Sequence, residues 1–346
     1  RSRDSQVDRR CRRLIVPNRD RSPSCSLQEF MPGACGPSTP RVDETKTGML
    51  FGMGLRFDRL TKKFGDVTAF HIPTLTIEPG EFFTFVGPAK CGKSTLLRVI
   101  AGTDEPSTGT LADDTVVFNE VSAADRGVET VSSDGSIKPD SCRYVVFDEP
   151  TSGLSDTESR ALIGELKRSS LAQDTTVIIA TADQGKALEF SDRMAVLDDG
   201  VVQQIGTPVD IFDRPKNIVV AGFFGDPPMN VVPGILEKDG CAVEIGPRAV
   251  QLNGLIAEDY ARDVFLGIRP EYIQLNPDPT AGWRGKVEGI RSQEGQTTVE
   301  VHVDGGEFIV REVAESRYKV GDRVSIAMPA RRLHVFDAHG GRLEVV

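Results

Sequence analysis

A glycine-rich segment at residues 87–95 has the residue types and spacing that bind phosphate groups. It reads Gly87-Pro88-Ala89-Lys90-Cys91-Gly92-Lys93-Ser94-Thr95, which follows the pattern G-x-x-x-x-G-K-[ST] of a phosphate-binding loop. Glycines let consecutive backbone N–H groups face the phosphates, and the following helix adds the partial positive charge of its N-terminus. We predict that this segment binds a nucleotide, that Lys93 reaches the β- and γ-phosphates, and that the Ser94 hydroxyl binds Mg²⁺. The alternative is a strand-to-helix turn with a solvated lysine.

Two acidic residues follow a second apolar run further along the chain. Asp148 and Glu149 come directly after residues 144–147, Tyr-Val-Val-Phe. If that run is a strand of a parallel sheet, both carboxylates lie at the edge where ligands bind in open α/β folds. Asp148 would then support Mg²⁺ through its water shell, and Glu149 would act as a general base on the attacking water. A solvated strand end is the commoner explanation of such a pair by itself.

The elements that must position these residues follow from hydrophobic patterning. Residues 81–86 and 176–180 are short aromatic or β-branched runs, typical of buried strands, and the apolar residues after the loop predict a helix. Helical spacing of leucines indicates another helix over 156–171, and the Asp199-Gly200 turn predicts a hairpin. We also expect a strand at 115–118, a turn at 125–131 and a polar turn at 132–136. The N-terminal domain is therefore predicted to be α/β, a P-loop NTPase sheet with flanking helices.

From about residue 226 the pattern changes to short alternating strands. The segments 298–303 and 307–310 flank a Gly-Gly turn, and 323–328 and 332–336 continue the series. This pattern predicts an all-β, OB-like domain. Without an aromatic stripe interleaved with basic residues, we expect no nucleic-acid binding. We interpret Arg269 and Glu271 as an internal ion pair, the alternative being a ligand site.

The distribution of charge separates a basic N-terminal segment from the acidic remainder of the chain. The 346 residues carry a net charge of −10, but residues 1–48 hold ten Lys and Arg against six Asp and Glu, so the remainder carries −14. We expect 1–48 to be a disordered or non-native tail, 49–225 the nucleotide-binding domain, and 226–346 the C-terminal domain. The six cysteines form no C-x-x-C pair, which argues against a zinc or redox motif and for a reducing compartment.

Several segments together resemble one family, the ATP-binding subunits of ABC importers of the maltose and glycerol-3-phosphate type. The resemblance rests on the phosphate-binding loop, Asp148 and Glu149, and on residues 63–66, 124–128, 210–215, 221–230 and 267–271. It implies that Phe64 stacks on adenine, the alternative being a core aromatic. It also implies a C-terminal regulatory domain of the TOBE type, a homodimer, permease and solute-binding protein partners, and a location on the cytoplasmic face of the cell membrane.

The sequence also departs from that family in the parts that carry out hydrolysis. No glutamine lies between Lys93 and Asp148, Ala182 occupies the position of the family's switch histidine, and the intervening segment is too short for a helical subdomain with its signature loop. We therefore expect binding of ATP and Mg²⁺ with impaired hydrolysis, which leaves ATPase activity itself uncertain. The first interpretation is an energising importer subunit for carbohydrate, polyol or glycerol-3-phosphate. The alternative is a non-hydrolysing, degenerate paralogue with a structural or regulatory role.

Overall fold

A mixed sheet of ten strands forms the N-terminal half of the part of the chain that the structure describes. This structure is a computed structural model that describes residues 54–131, 142–173, 175–256, 263–278, 282–293, 295–312 and 316–345. The predicted tail at 1–48 and the predicted turn at 132–136 lie outside these ranges. The ten strands are β1 (Leu55–Phe64), β2 (Val67–Ile72), β3 (Leu75–Ile77), β4 (Phe82–Val86), β5 (Thr108–Ala112), β6 (Val128–Val131), β7 (Tyr144–Asp148), β8 (Thr176–Thr181), β9 (Arg193–Asp198) and β10 (Val201–Gly206).

The strand order places the predicted site elements side by side. The order is β3-β1-β2-β10-β9-β4-β8-β7-β6, with β5 beside β1. Strands β9, β4, β8, β7 and β6 are parallel to one another, whereas β1, β2, β3 and β5 form antiparallel pairs. Because β8 lies between β4 and β7, the segments after all three strands meet at one edge of the sheet.

Helices cover both faces of this sheet. The helices are α1 (Lys93–Ala101), α2 (Asp156–Gln173), α3 (Gln184–Phe190), α4 (Pro208–Asp213) and α5 (Ile218–Phe223). Leu96, Leu97 and Ile100 of α1 share one core with Phe83 and Phe85 of β4. Ile163 and Leu166 of α2 share another core with alternate residues of the same sheet, Phe82, Val145 and Val177. The strands are therefore buried on both faces, as their continuous apolar runs predict.

Most of the predicted elements of this half are confirmed. The strands at 82–86, 144–148 and 176–181, the helices at 93–101 and 156–173, and the hairpin through Asp199-Gly200 all form close to their expected bounds. Two predictions between α1 and β7 are wrong, and the reasons differ.

The predicted strand at 115–118 is instead a loop that leads into a 3-10 turn, Phe118–Glu120. The Asp113 carboxylate accepts hydrogen bonds from the backbone N–H groups of Thr115 and Val116, at 2.8 and 3.0 Å, and from the Thr115 hydroxyl at 2.8 Å. These bonds use the donors that a strand would offer to its neighbour.

The turn predicted at 125–131 ends at Gly127, after which β6 begins. Strand β6 forms by parallel pairing with β7, in which Val128 is opposite Tyr144 and Val131 is opposite Phe147. No local sequence pattern predicts this pairing. Between Gly102 and Val131 the described residues contain no α-helix.

The C-terminal half is all β, as predicted, and consists of two sheets. One has the order β13-β12-β11-β14-β20-β21 and the other β15-β19-β16-β17-β18. Their strands are β11 (Asn230–Leu236), β12 (Ala242–Ile245), β13 (Arg248–Gln251), β14 (Asp263–Ile268), β15 (Gln274–Asn276), β16 (Trp283–Gln293), β17 (Gln296–Val303), β18 (Gly306–Glu312), β19 (Arg323–Ala327), β20 (His334–Asp337) and β21 (Arg342–Leu343). The last predicted strand, 332–336, starts later because Ala330–Arg332 form a 3-10 turn. Both sheets contribute to a single apolar core.

Among the described residues, no α-helix combines the length and the hydropathy that a membrane span requires.

Candidate functional site

The phosphate-binding loop passes between neighbouring backbones so closely that two of its positions admit only glycine. A Cβ atom on Gly87 would lie 2.0 Å from the carbonyl oxygen of Leu197, and one on Gly92 would lie 2.1 Å from that of Ala69. Gly92 also has a φ of +100° and stands at the N-cap of α1, where the chain enters the helix. The two spaced glycines of the motif are therefore required by the fold as well as by the chemistry.

Lys93 is buried and its ammonium group lies inside the loop. Its Nζ atom donates to the carbonyl oxygens of Gly87 and Pro88 at 2.8 and 2.9 Å, and lies 3.7 Å from Sγ of Cys91. Burial raises the pKa of the Cys91 thiol, against the opposing charge of Lys93, so the thiol stays protonated near neutral pH. Pro88, Ala89 and Lys90 form the exposed tip of the loop.

The side chains predicted to bind Mg²⁺ have the properties that such a site needs. The Ser94 hydroxyl and the Asp148 carboxylate are both exposed, and neither has a hydrogen-bond partner among the described residues. Both side chains offer oxygen atoms, which Mg²⁺ prefers as ligands. Ser94 lies in the first turn of α1, after the loop that follows β4, and Asp148 is the last residue of β7; β8 lies between β4 and β7 in the sheet. Thr95, next in the chain, accepts a hydrogen bond from Arg98 at 3.2 Å and supports the first turn of α1.

Glu149 is fixed by the last residue of β8 and by the residue that follows it. Its Oε2 atom accepts a hydrogen bond from the Thr181 hydroxyl at 2.8 Å, and its Oε1 atom accepts one from the backbone N–H of Ala182, also at 2.8 Å. The residue has a φ of +49°, a left-handed conformation that is uncommon outside glycine and is often found at functional sites.

Sequence reasoning missed Thr181, which joins the two halves of the site. Its carbonyl oxygen accepts the N–H of Gly87 at 3.3 Å, while its hydroxyl holds Glu149. A threonine at a strand end is an ordinary residue, and only the strand order β4-β8-β7 gives it this place.

Phe64 lies at the end of β1 and is 51% exposed, so the alternative that it is a core aromatic is wrong. It pairs with Val67 across the β1–β2 hairpin, and Ala69 of the same hairpin touches Gly92. The ammonium of Lys62 lies 4.9 Å from the centre of the ring. The ring is therefore accessible from solvent, as a base-stacking residue must be.

The C-terminal end of α1 is held by a second residue that the sequence did not reveal. The buried guanidinium of Arg126 donates to the carbonyl oxygens of Val99 and Ile100, at 2.7 and 3.2 Å. Burial lowers the pKa of Arg126. Its positive charge nevertheless stabilises α1, because a cation near the C-terminal end of a helix interacts favourably with the helix dipole.

The predicted ion pair between Arg269 and Glu271 does not form. Arg269 is 1% exposed and instead donates to the carbonyl oxygens of Phe212, at 2.6 and 3.2 Å, and Phe224, at 2.7 Å. Its guanidinium lies 3.6 Å from the centre of the Phe212 ring. These contacts join the residue that follows β14 in the C-terminal half to the ends of helices α4 and α5 in the N-terminal half, because carbonyl groups at helix ends lack partners within the helix.

The fold and the loop define an α/β P-loop protein followed by an OB-type β domain. In comparisons with known proteins, the ABC transporter family matches residues 70–194, the MalK OB fold domain matches 225–273, and the TOBE domain matches 266–336. The xylose/arabinose import ATP-binding protein of Haloferax volcanii is 31% identical over 83% of this chain and 94% of its own length.

Two further relatives have similar coverage. The trehalose/maltose import ATP-binding protein of Thermococcus litoralis and the sn-glycerol-3-phosphate import ATP-binding protein of Escherichia coli are each 27% identical, over 84% of this chain and 99% of their own lengths. The chain belongs to the ABC transporter family, among its import ATP-binding proteins.

Proposed function

We propose that the chain binds ATP and Mg²⁺ as the nucleotide-binding subunit of an importer for a carbohydrate, a polyol or glycerol-3-phosphate. The observation that carries this proposal is the loop geometry, in which Gly87 and Gly92 leave no room for a side chain and Lys93 points into the loop. Phosphate oxygens would replace the carbonyl oxygens of Gly87 and Pro88 as partners of the Lys93 ammonium. Bound Mg²⁺ would neutralise phosphate charge, with Ser94 and Asp148 holding it and Phe64 stacking on the base.

We further propose that hydrolysis is slow. Glu149 is the proposed general base, and each of its two oxygens accepts one hydrogen bond, from Thr181 and from Ala182. Ala182 has no ring nitrogen that could contact a γ-phosphate. Preorganised donors at the developing charge supply much of the rate of such reactions, so the lack of a histidine here and of a glutamine between Lys93 and Asp148 lowers turnover.

The comparison with the Haloferax relative is consistent with a missing internal segment. The alignment runs over 368 positions, more than the 346 residues of this chain, so the relative has positions with no counterpart here. A gap between α1 and β7 would remove the helical subdomain, including the signature loop that completes the partner's site in a dimer.

The proposed partners follow from the family. We propose a homodimer that docks permease subunits at the cytoplasmic face of the membrane and serves a solute-binding protein on the other side. The second candidate function is a non-hydrolysing paralogue that binds nucleotide in a structural or regulatory role, which is favoured by Ala182 in the position of the switch histidine and by the lack of a glutamine between Lys93 and Asp148.

The experiment that tests the proposal measures ATP binding and ATP turnover on the same purified sample. We expect Mg²⁺-dependent ATP binding that Lys93→Ala abolishes, and turnover well below about 1 s⁻¹ in both proteins. Binding without any turnover selects the second candidate. Binding that Lys93→Ala leaves unchanged refutes the proposed site.

A further inference from the structure

Three side chains with metal-binding atoms meet on the exposed face of the five-stranded C-terminal sheet. Glu288, His302 and Glu307 each offer one ligand atom, and these atoms all lie within 4.8 Å of one another. We propose that they form a binding site for a divalent transition-metal cation, of which zinc is the best match. This site lies outside the nucleotide site and does not depend on the function proposed above.

The three residues come from three adjacent strands, β16, β17 and β18. His302 lies on the middle strand and pairs directly with Glu307 on β18 and with Lys286 on β16. Glu288 occupies an irregularity in β16, where the register shifts between Val287 and Gly289. Such a bulge adds one residue to a strand and redirects its side chain, and bulges are often found at functional sites.

Buried neighbours fix the backbone at each of the three positions. Val287 precedes Glu288, Val301 precedes His302, and Phe308 follows Glu307, and these three apolar residues are at most 1% exposed. Val301 pairs with both Val287 and Phe308, so the three form one row of the C-terminal core. The ligands therefore project from a rigid, packed sheet, which lowers the entropic cost of assembling a metal site.

The donor set selects the kind of ion. One imidazole nitrogen and two carboxylate oxygens suit zinc and its neighbours in the first transition series, whereas Mg²⁺ and Ca²⁺ prefer oxygen donors alone. Zinc binds such atoms at about 2.0–2.2 Å, so tetrahedral ligands stand about 3.4 Å apart. The present separations, at most 4.8 Å, would therefore shorten by up to about 1.4 Å through rotation of these exposed side chains when the ion binds. Water would fill the remaining coordination positions.

A positive charge on the same face of the sheet opposes the ion. Lys286 is the direct cross-strand partner of His302, and partners of this kind stand on the same face of a sheet. Its ammonium group lowers the affinity of the carboxylates for a divalent cation by competing for them. Removal of this charge by Lys286→Gln is therefore expected to tighten zinc binding, an effect opposite to that of most substitutions.

Nuclear magnetic resonance of the imidazole nitrogens tests the proposal in the full chain. The chain has four histidines, so each ring can be assigned. Titration with zinc chloride is expected to shift the His302 resonances selectively, whereas zinc bound by cysteine thiolates would leave them in place. Glu307→Gln should raise the zinc Kd by at least about tenfold, and His302→Gln should abolish binding at the site.

His339→Ala is the matched control, since His339 is also exposed but lies outside the cluster, and it should leave the zinc Kd unchanged. The proposal is overturned if excess zinc leaves the His302 resonances unmoved, or if Glu307→Gln and Lys286→Gln both bind zinc as the unmodified chain does.

Discussion

Truncation of Arg269 to alanine would test whether this residue joins the two halves of the described chain. The guanidinium satisfies the carbonyl oxygens of Phe212 and Phe224 and covers the ring of Phe212. In Arg269→Ala both carbonyl groups lose a charged donor, and an unsatisfied buried polar group costs about 1–3 kcal/mol. The lost stacking of a desolvated cation adds about 2 kcal/mol. Since such contributions are not additive, we expect a loss of about 3–5 kcal/mol in the free energy of unfolding.

The assay is equilibrium unfolding in urea, followed by the fluorescence of Trp283. This is the only tryptophan of the chain, and it is 7% exposed within the C-terminal core. Arg332→Ala is the matched control, because Arg332 is exposed and lies 4.3 Å from the ring of Tyr272, and its removal should cost less than about 1 kcal/mol. If Arg269→Ala costs no more than Arg332→Ala, the argument from the buried guanidinium is refuted.

Two further predictions concern the loop and the pH dependence of stability. Gly92→Ala forces a Cβ atom to within 2.1 Å of the Ala69 carbonyl oxygen, so this variant should bind a fluorescent ATP analogue at least about tenfold more weakly than the unmodified chain does. Gly164 faces open space on α2, so the control variant Gly164→Ala should bind the analogue with unchanged affinity. Burial, assisted by nearby arginines, lowers the pKa of His334 to about 4. The unfolded chain therefore binds the extra proton between about pH 6.5 and 4, and stability falls as the pH falls through this window, by about 2 kcal/mol from pH 7 to pH 5. Urea midpoints should show this loss reduced in His334→Gln and retained in His339→Gln.

The elements around the phosphate-binding loop were predictable because their signals are local. The buried strand β4, the loop and α1 follow one another within 20 residues, and each has its own composition. Strand β6 and the partners of Arg269 were not predictable in this way. Strand β6 depends on pairing with β7, and Arg269 contacts carbonyl groups that lie 57 and 45 residues earlier in the chain. Contacts of that kind depend on tertiary packing, which a single sequence does not encode in any short pattern.

The site itself shows the same division. The phosphate-binding motif identified Lys93 and Ser94, and the acidic pair after the second apolar run identified Asp148 and Glu149. The roles of these four residues remain predictions. The hydrogen bonds from Thr181 and Ala182 to Glu149 needed the strand order as well as the sequence. The domain bounds at 49–225 and 226–346 also stay a prediction.

The central claim is that the chain binds ATP through the loop around Lys93 but hydrolyses it slowly. The most direct test is to measure ATP affinity and phosphate release on one purified sample of the full chain in the presence of Mg²⁺, beside Lys93→Ala. We predict saturable binding that Lys93→Ala abolishes, with phosphate release well below about 1 s⁻¹ per chain. Phosphate release at or above that rate, removed by Lys93→Ala, would contradict the claim that hydrolysis is impaired.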